Sequence, residues 1–456
     1  MKRVNSPQPA GTSPDKPAGP ATVRCALPVV IRACHNHAMQ PAADSAQNQP
    51  PTLRRTLTLP LLTLYGLGNI LGAGIYVLIG KVVGHAGVFA PVSFLLASLL
   101  ACLTAFTYAE LSARFPLSAG EAVYVQQGIG VRFMPGLVGL LIILAGVVSA
   151  ATILRGFAGY LQVFFPAPDH AVILVMTCLL GGLAAWGITE SVWTAAAVTL
   201  VEIGGLLMIL WVATPAVLAG GATMPDVSLA MTDMHWTGIF VGGFLAFYAF
   251  IGFEDMVNVA EEVRDPVRNL PRAILIALVI STVLYFLVAL AAVLSAPVDR
   301  LAASDAPLAW LYAHLTGRAP VTITLISLFA VINGALIQII MASRVAYGMA
   351  RQGWLPAQFG QVNARTRTPV VATASVALLL LIMALWLPLE TLAKTTSYFL
   401  LVVFALVNLA LWRLKRRSGQ PIGIIQVPGW VPVCGCLASA AFVGVQGMID
   451  LGLLQG

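Results

Sequence analysis

Apolar windows of roughly 20 residues recur along most of this chain, separated by charged residues and Pro/Gly clusters. They predict about eleven membrane-spanning helices, near residues 58–82, 88–114, 132–165, 169–188, 190–220, 237–263, 270–296, 318–350, 370–388, 390–412 and 426–452. The more polar stretch 115–131 predicts an amphipathic helix on the intracellular side, and 305–316 a short helix between spans seven and eight. Residues 1–50 are rich in Pro, Ala, Ser, Asn and Gln and hold no apolar run long enough to anchor, so they read as a disordered cytoplasmic tail or a misplaced start with Met39 as the initiator. The run from Ala26 to Ile31 is too short for a secretory signal and ends at Arg32. Residues 51–456 form one transmembrane domain.

Two spans are interrupted where a membrane helix should run on. Span one reads Gly68-Asn69-Ile70-Leu71-Gly72-Ala73-Gly74-Ile75, and span six reads Phe247-Tyr248-Ala249-Phe250-Ile251-Gly252-Phe253-Glu254-Asp255. Non-helical backbone at membrane depth survives only where it lines a cavity or is buried in protein, because lipid satisfies no peptide group. The breaks lie five spans apart. An odd offset makes the two segments cross in opposite directions, as inverted repeats of five helices do. Gly72 and Gly74 let the first break unwind, and the amides freed at the start of its second half, with the helix dipole, suit a carboxylate. Read alone, Gly-x-Gly serves equally as a small-residue packing seam. At the second break, carbonyls of Tyr248, Phe250 and Ile251 offer acceptors to an ammonium. Donors facing acceptors describe the backbone of an α-amino acid.

Composition sharpens this picture. The chain is 59% hydrophobic and 9% charged, against about 25% charged in soluble domains, which makes it a polytopic membrane protein. The net charge of +7 is explained by loops rather than by nucleic acid, since cytoplasmic loops collect Lys and Arg. With the N-terminus inside, the cytoplasmic side holds Arg54, Arg55, Arg114, Arg132, Arg264, Arg268, Arg272, Arg351, Arg365, Arg367, Arg413, Lys415, Arg416 and Arg417. The outside holds Lys81, Arg300, Arg318 and Lys394, and eleven spans leave the C-terminus outside, in the periplasm of an inner-membrane protein. No disulfide, metal site, cofactor or catalytic cluster is expected.

Charges inside spans are functional hypotheses by default. Glu254 and Asp255 follow the second break directly. Glu202, mid-span in helix five, is a proton-coupling candidate, or else a structural group paired with Arg155. Glu110, near the cytoplasmic end of span two, caps its helix or gates. Tyr248 and Phe253 are expected to form aromatic walls of the site, whose apolar lining fits neutral side chains better than basic ones.

Four motifs then resemble a known family. Tyr65-Gly66-Leu67-Gly68-Asn69-Ile70-Leu71-Gly72-Ala73-Gly74-Ile75-Tyr76-Val77 is similar to the first-helix signature of the amino acid–polyamine–organocation permeases. So are Tyr108-Ala109-Glu110-Leu111 with Phe115-Pro116-Leu117-Ser118-Ala119-Gly120, the stretch from Phe250 to Ile274, and Ser343-Arg344-Val345-Ala346-Tyr347-Gly348-Met349-Ala350-Arg351 with Leu355-Pro356 and Thr368-Pro369. The pattern looks most like the bacterial relatives of cationic amino acid transporters. The resemblance implies an all-α, LeuT-type fold of five plus five inverted helices, with helices one and six discontinuous. It implies secondary transport of amino acids or amines, with proton symport preferred, exchange as the alternative and a channel as a remote one. It puts the substrate carboxylate at Ala73, Gly74 and Ile75 and the ammonium at carbonyls of Ile70, Tyr248, Ala249 and Ile251, with Asn69 nearby and Glu254 in gating or proton sensing. The chain departs from the pattern in having eleven spans rather than about twelve, and in Glu202, which stands where that branch carries a lysine.

Overall fold

A computed structural model describes residues 55–72, 74–117, 120–186, 192–219, 236–417 and 423–453. The N-terminal tail, Ala73, Ser118, Ala119 and the C-terminal Gly456 lie outside the described residues. The described elements are helical throughout, apart from one isolated parallel bridge between Leu57 and Val263. In chain order the helices are α1 (Leu59–Leu71), α2 (Gly74–Ala86), α3 (Ala90–Arg114), α4 (Gly120–Ile129), α5 (Met134–Leu161), α6 (Asp169–Trp186) and α7 (Val192–Leu218). There follow α8 (Trp236–Tyr248), α9 (Pro266–Ser295), α10 (Val298–Ala302), α11 (Pro307–Thr316), α12 (Val321–Arg351), α13 (Val370–Trp386), α14 (Leu389–Arg417) and α15 (Trp430–Asp450).

Each predicted span holds a helix within a few residues of its expected bounds, and α4 and α11 occupy the two short helices expected at 115–131 and 305–316. Among the described residues, eight helical runs are long and apolar enough to cross a membrane, with α8 and α13 as shorter apolar helices, so the protein is a multi-pass membrane protein. Prolines open several helices, among them Pro91 in α3, Pro135 in α5 and Pro307 in α11, where a missing amide hydrogen costs nothing. Trp186, Trp236, Trp386 and Trp430 stand exposed at helix ends, as membrane-interface tryptophans do.

Two packing groups emerge. Helices α1, α2, α3, α8 and α9 (spans one, two, six and seven) pack on one another, and α5, α6, α12 and α13 (spans three, four, eight and nine) form a second set. Both interrupted spans belong to the first group. In span one, α1 ends at Leu71, with Gly72 as its C-cap, and α2 is described from Gly74; Ala73 between them lies outside the described residues. Span six stops at Tyr248, turns through Gly252 at φ +127°, and continues as a 3-10 helix over Glu254–Glu262. That region of backbone is open to glycine and strained for any other residue. Phe253, the residue after the turn, is fully buried and packs edge-on to Tyr108 of α3 (5.6 Å) and against Phe404 of α14 (5.4 Å), which fixes where the second break restarts.

The two interrupted spans are also tied at their basic ends. Leu57 N donates to Glu262 O (3.0 Å) and Arg264 N to Leu57 O (2.9 Å), joining the start of α1 to the end of the 3-10 helix. Close by, a buried charge cluster closes that end of the bundle. Glu110 is fully buried on α3 and accepts from Arg114 Nε (3.0 Å), Lys415 Nζ (2.7 Å) and the Val427 amide (2.8 Å). Its acceptors are filled by strong charge-assisted bonds, so Glu110 pins α14 and the segment before α15 to the end of α3.

Candidate functional site

The two breaks touch. A Cβ at Gly74 would stand 2.3 Å from Ala249 Cα, and a Cβ at Gly252 would stand 2.7 Å from the Asn69 carbonyl carbon. Each break therefore presents a glycine to the backbone of the other, at a distance no side chain tolerates. Tyr285 of α9 ties them further: its hydroxyl donates to Ile70 O (2.7 Å), with Ala249 O at 3.0 Å as the alternative acceptor.

A cavity of about 20 Å³ opens beside this contact, lined by Asn69, Ile70 and Gly74 from span one and Tyr248 and Ile251 from span six. Its far wall is Ser149 and Ile153 of α5 and Gly334, Ile337 and Gln338 of α12. That volume holds about one water, so the passage is nearly closed. Tyr248 closes it by crossing to α5, where its hydroxyl donates to Ser149 O (3.1 Å) and meets Ser149 Oγ at 3.0 Å. Gly74 at the start of α2 and Tyr248 and Ile251 of the second break thus stand on one side of the cavity, with Ser149, Ile153, Gly334, Ile337 and Gln338 of α5 and α12 on the other.

A second lobe of about 20 Å³ shares Ser149, Ile251 and Gln338 with the first and reaches toward the basic end. Three carboxylates line it: Glu254 and Asp255 on the second break and Glu121 on α4. Glu254 Oε2 accepts the Gly252 amide (2.9 Å), Gln338 Nε2 donates to Asp255 Oδ2 (3.3 Å), and Tyr108 OH reaches Glu121 Oε1 (3.4 Å). Burial pushes the Glu121 carboxyl up to about 8, and the charge of Asp255 adds to the shift.

The sequence-predicted residues divide as follows. Asn69, Ile70, Gly74, Tyr248 and Ile251 line the first lobe, while Gly72, Ile75, Ala249, Phe250 and Gly252 lie at the breaks without lining it. Phe253 is turned into the Tyr108–Phe404 aromatic cluster, so one of the two expected aromatic walls is absent. Glu202 is buried on α7, where Tyr76 OH donates to its backbone carbonyl (2.6 Å); its carboxyl is within electrostatic reach of the Tyr76 and Tyr285 hydroxyls. Arg155 stands with Asp169 (4.0 Å) and donates to Leu385 O (3.1 Å) near the end opposite the basic residues. Glu110 belongs to the charge cluster and touches neither lobe. Ser149, Gln338, Tyr285 and Glu121 were not singled out from sequence. The signal for Gln338 was an amide in an otherwise apolar span; for Tyr285, only the folded contact reveals it.

A multi-pass helical protein with two broken helices meeting at a central, nearly closed cavity is a membrane transporter. The chain belongs to the amino acid permease family, whose model matches residues 57–452. It is 32% identical over 433 residues to the vacuolar cationic amino acid transporter 2 of Arabidopsis thaliana, covering 88% of this chain and 67% of that one. It is 28% identical to the branched-chain amino acid permease BcaP of Bacillus subtilis (86% and 88% covered) and 27% identical to the methylthioribose transporter of the same organism (85% and 87%). The chain spans about two thirds of the length of the plant relatives and most of the bacterial ones. The family is one of permeases rather than enzymes.

Proposed function

We propose that the chain is a secondary active transporter that carries α-amino acids across the inner membrane by alternating access, in symport with protons. The observation that supports this most is the meeting of the two breaks, Gly74 on Ala249 and Gly252 on Asn69, beside one cavity. Amides freed between Gly72 and Ile75 take the substrate carboxylate, and carbonyls at Ile70 and Tyr248–Ile251 take its ammonium. The side chain extends among Ile153, Ile251 and Ile337, which suits a neutral apolar group. The relatives named for cationic and branched-chain amino acids bracket that choice.

Glu254 and Asp255 sit on the second break itself, so their exposure changes when that break moves. A proton on this pair therefore reports which side the cavity faces, which is the element a symporter needs. Glu202 stands one step behind the breaks, through Tyr76 and Tyr285, as a further carboxylate for the proton. Spans one, two, six and seven pack with one another, and spans three, four, eight and nine pack with one another, as two five-helix repeats of opposite orientation would require. The basic end faces the cytoplasm.

Uptake of a labelled amino acid panel into proteoliposomes, with and without an inward proton gradient, tests this. At least one amino acid should accumulate above its outside concentration with the gradient, and an uncoupler should collapse it. No uptake, counterflow or binding of any amino acid would overturn the reading. Counterflow without proton-driven accumulation would replace symport by exchange.

A further inference from the structure

Span ten, α14, carries cations at both ends of an apolar stretch. At 1.5 Å per residue Lys394 and Arg413 lie about 28 Å apart along its axis, close to the roughly 30 Å of a bilayer's hydrocarbon core. The last turn of α14, with Arg413, Lys415, Arg416 and Arg417, therefore stands at the level of the lipid headgroups.

These four cations divide. Lys415 turns inward: only 11% of its side chain is exposed, and Nζ donates to Glu110 Oε2 and to Val427 O, each at 2.7 Å. Arg413 is half-buried, and Arg416 and Arg417 are exposed. Among the described residues no carboxylate stands within 4.0 Å of these three arginines. The stretch that follows, 418–422, holds no acidic residue.

The arginines continue an outward seam. Val403, Val407, Leu411 and Leu414 bury one face of α14. Val402, Leu406, Leu409, Trp412, Arg413 and Arg416 follow the other at helical spacing, exposed or half-buried. From the membrane centre outward the seam is apolar, then aromatic, then cationic, the order of a phospholipid's chain, glycerol and phosphate. Arg416 is fixed there, its Cζ 4.1 Å from the centre of the Trp412 ring. The N–H donors of a guanidinium lie in its own plane, so stacking leaves its outer edge free to grip a phosphate with two parallel bonds. Helix α4 abuts α14 close to this end, since a Cβ at Gly128 would stand 2.5 Å from Ala410 Cα. The turn after α4 exposes Val131 and Phe133 on either side of Arg132, as apolar side chains dipping into a headgroup boundary do.

We propose that the outward seam at the basic end of α14 is a binding site for an anionic phospholipid. Arg413 and Arg416 hold the phosphate, Trp412 lies at the level of the glycerol, and one acyl chain runs along Leu409, Leu406 and Val402. Charge selects the occupant: a zwitterionic headgroup brings a cation of its own to a cluster of arginines, whereas an anionic one does not. Nothing in this site depends on the transported substrate or on the proton.

Native mass spectrometry of the full chain, released from detergent with phosphatidylglycerol and phosphatidylcholine of identical acyl chains, tests it. The first phosphatidylglycerol should bind about tenfold more tightly than phosphatidylcholine, and Arg413→Gln and Arg416→Gln should each weaken it about fivefold. Both changes together should bring the two lipids to within about twofold of each other. Neither arginine belongs to the core, so the double variant keeps its fold. Arg318→Gln, at the opposite end of the bundle, should leave the preference unchanged. Equal binding of the two lipids by the wild type, or a preference that survives the double change, would overturn the site. Displacement of the lipid by inorganic phosphate, under conditions where chloride of equal ionic strength has no effect, would overturn it in favour of a site for the free ion.

Discussion

The two breaks meet, yet they are built differently. The first carries no charge: glycines at 72 and 74 flank the junction between α1, which ends at Leu71, and α2, described from Gly74. The second is shaped by one left-handed glycine and followed at once by two carboxylates and a 3-10 helix. The first has the means to hold a substrate anion and little to sense a proton. The second holds backbone acceptors and titratable groups on the same short segment. In the proposed cycle substrate recognition is thus shared between the breaks, while the proton is carried by the carboxylates of the second, with Glu202 behind them.

The largest expected effect breaks the contact itself. Gly252→Ala places a Cβ 2.7–2.8 Å from the Asn69 carbonyl at φ +127°, adding to a backbone strain of about 1–3 kcal/mol. Uptake by monodisperse protein should fall by about two orders of magnitude, since a 2–3 kcal/mol loss corresponds to that factor. Gly182→Ala on α6, where nothing stands within 4 Å, should leave uptake unchanged. Glu254→Gln separates the two roles. The amide oxygen still accepts from Gly252, so counterflow should persist, while proton-driven accumulation is lost. Accumulation that survives the change would return Glu254 to a structural role.

Smaller effects sharpen the comparison. Tyr285→Phe removes the hydroxyl shared by Ile70 O and Ala249 O. A net loss of about 0.5–1.5 kcal/mol should lower uptake by up to about tenfold and unfolding temperature only slightly. Glu121 tests the charge at the second break from outside it. Its folded carboxyl titrates near 8 rather than near its ordinary 4.5, so folding favours the protonated form. Its contribution to stability is complete below about 4.5 and is lost as pH rises through about 8. Glu121→Gln does not titrate, so thermal unfolding across that range should fall more steeply in the wild type than in the variant.

The spans and the breaks were legible in the sequence because lipid imposes one rule on every backbone group, and only Gly-rich or charged interruptions violate it. The second break also announced itself by two acidic residues at depth. The wall facing the breaks was not legible. Ser149 and Gln338 are ordinary polar residues in apolar helices, and α5 and α12 reach the site only through packing. Phe253 shows the limit from the other side: an aromatic beside the break reads as a pocket wall, whereas the Tyr108–Phe404 cluster claims its ring. Arg155 of α5 and Asp169 of α6 stand 4.0 Å apart beside one cavity, a neighbourhood that neither residue type alone foretells.

The claim at the centre is that both breaks hold one molecule. Asn69→Cys and Ile251→Cys, each in a background lacking the six native cysteines, put a thiol on either side of the first lobe. Alkylation by a membrane-permeant maleimide is then followed while the transported amino acid is titrated in. Both thiols should be protected with the same half-protecting concentration. Protection at one thiol with none at the other would show that the breaks do not share a ligand.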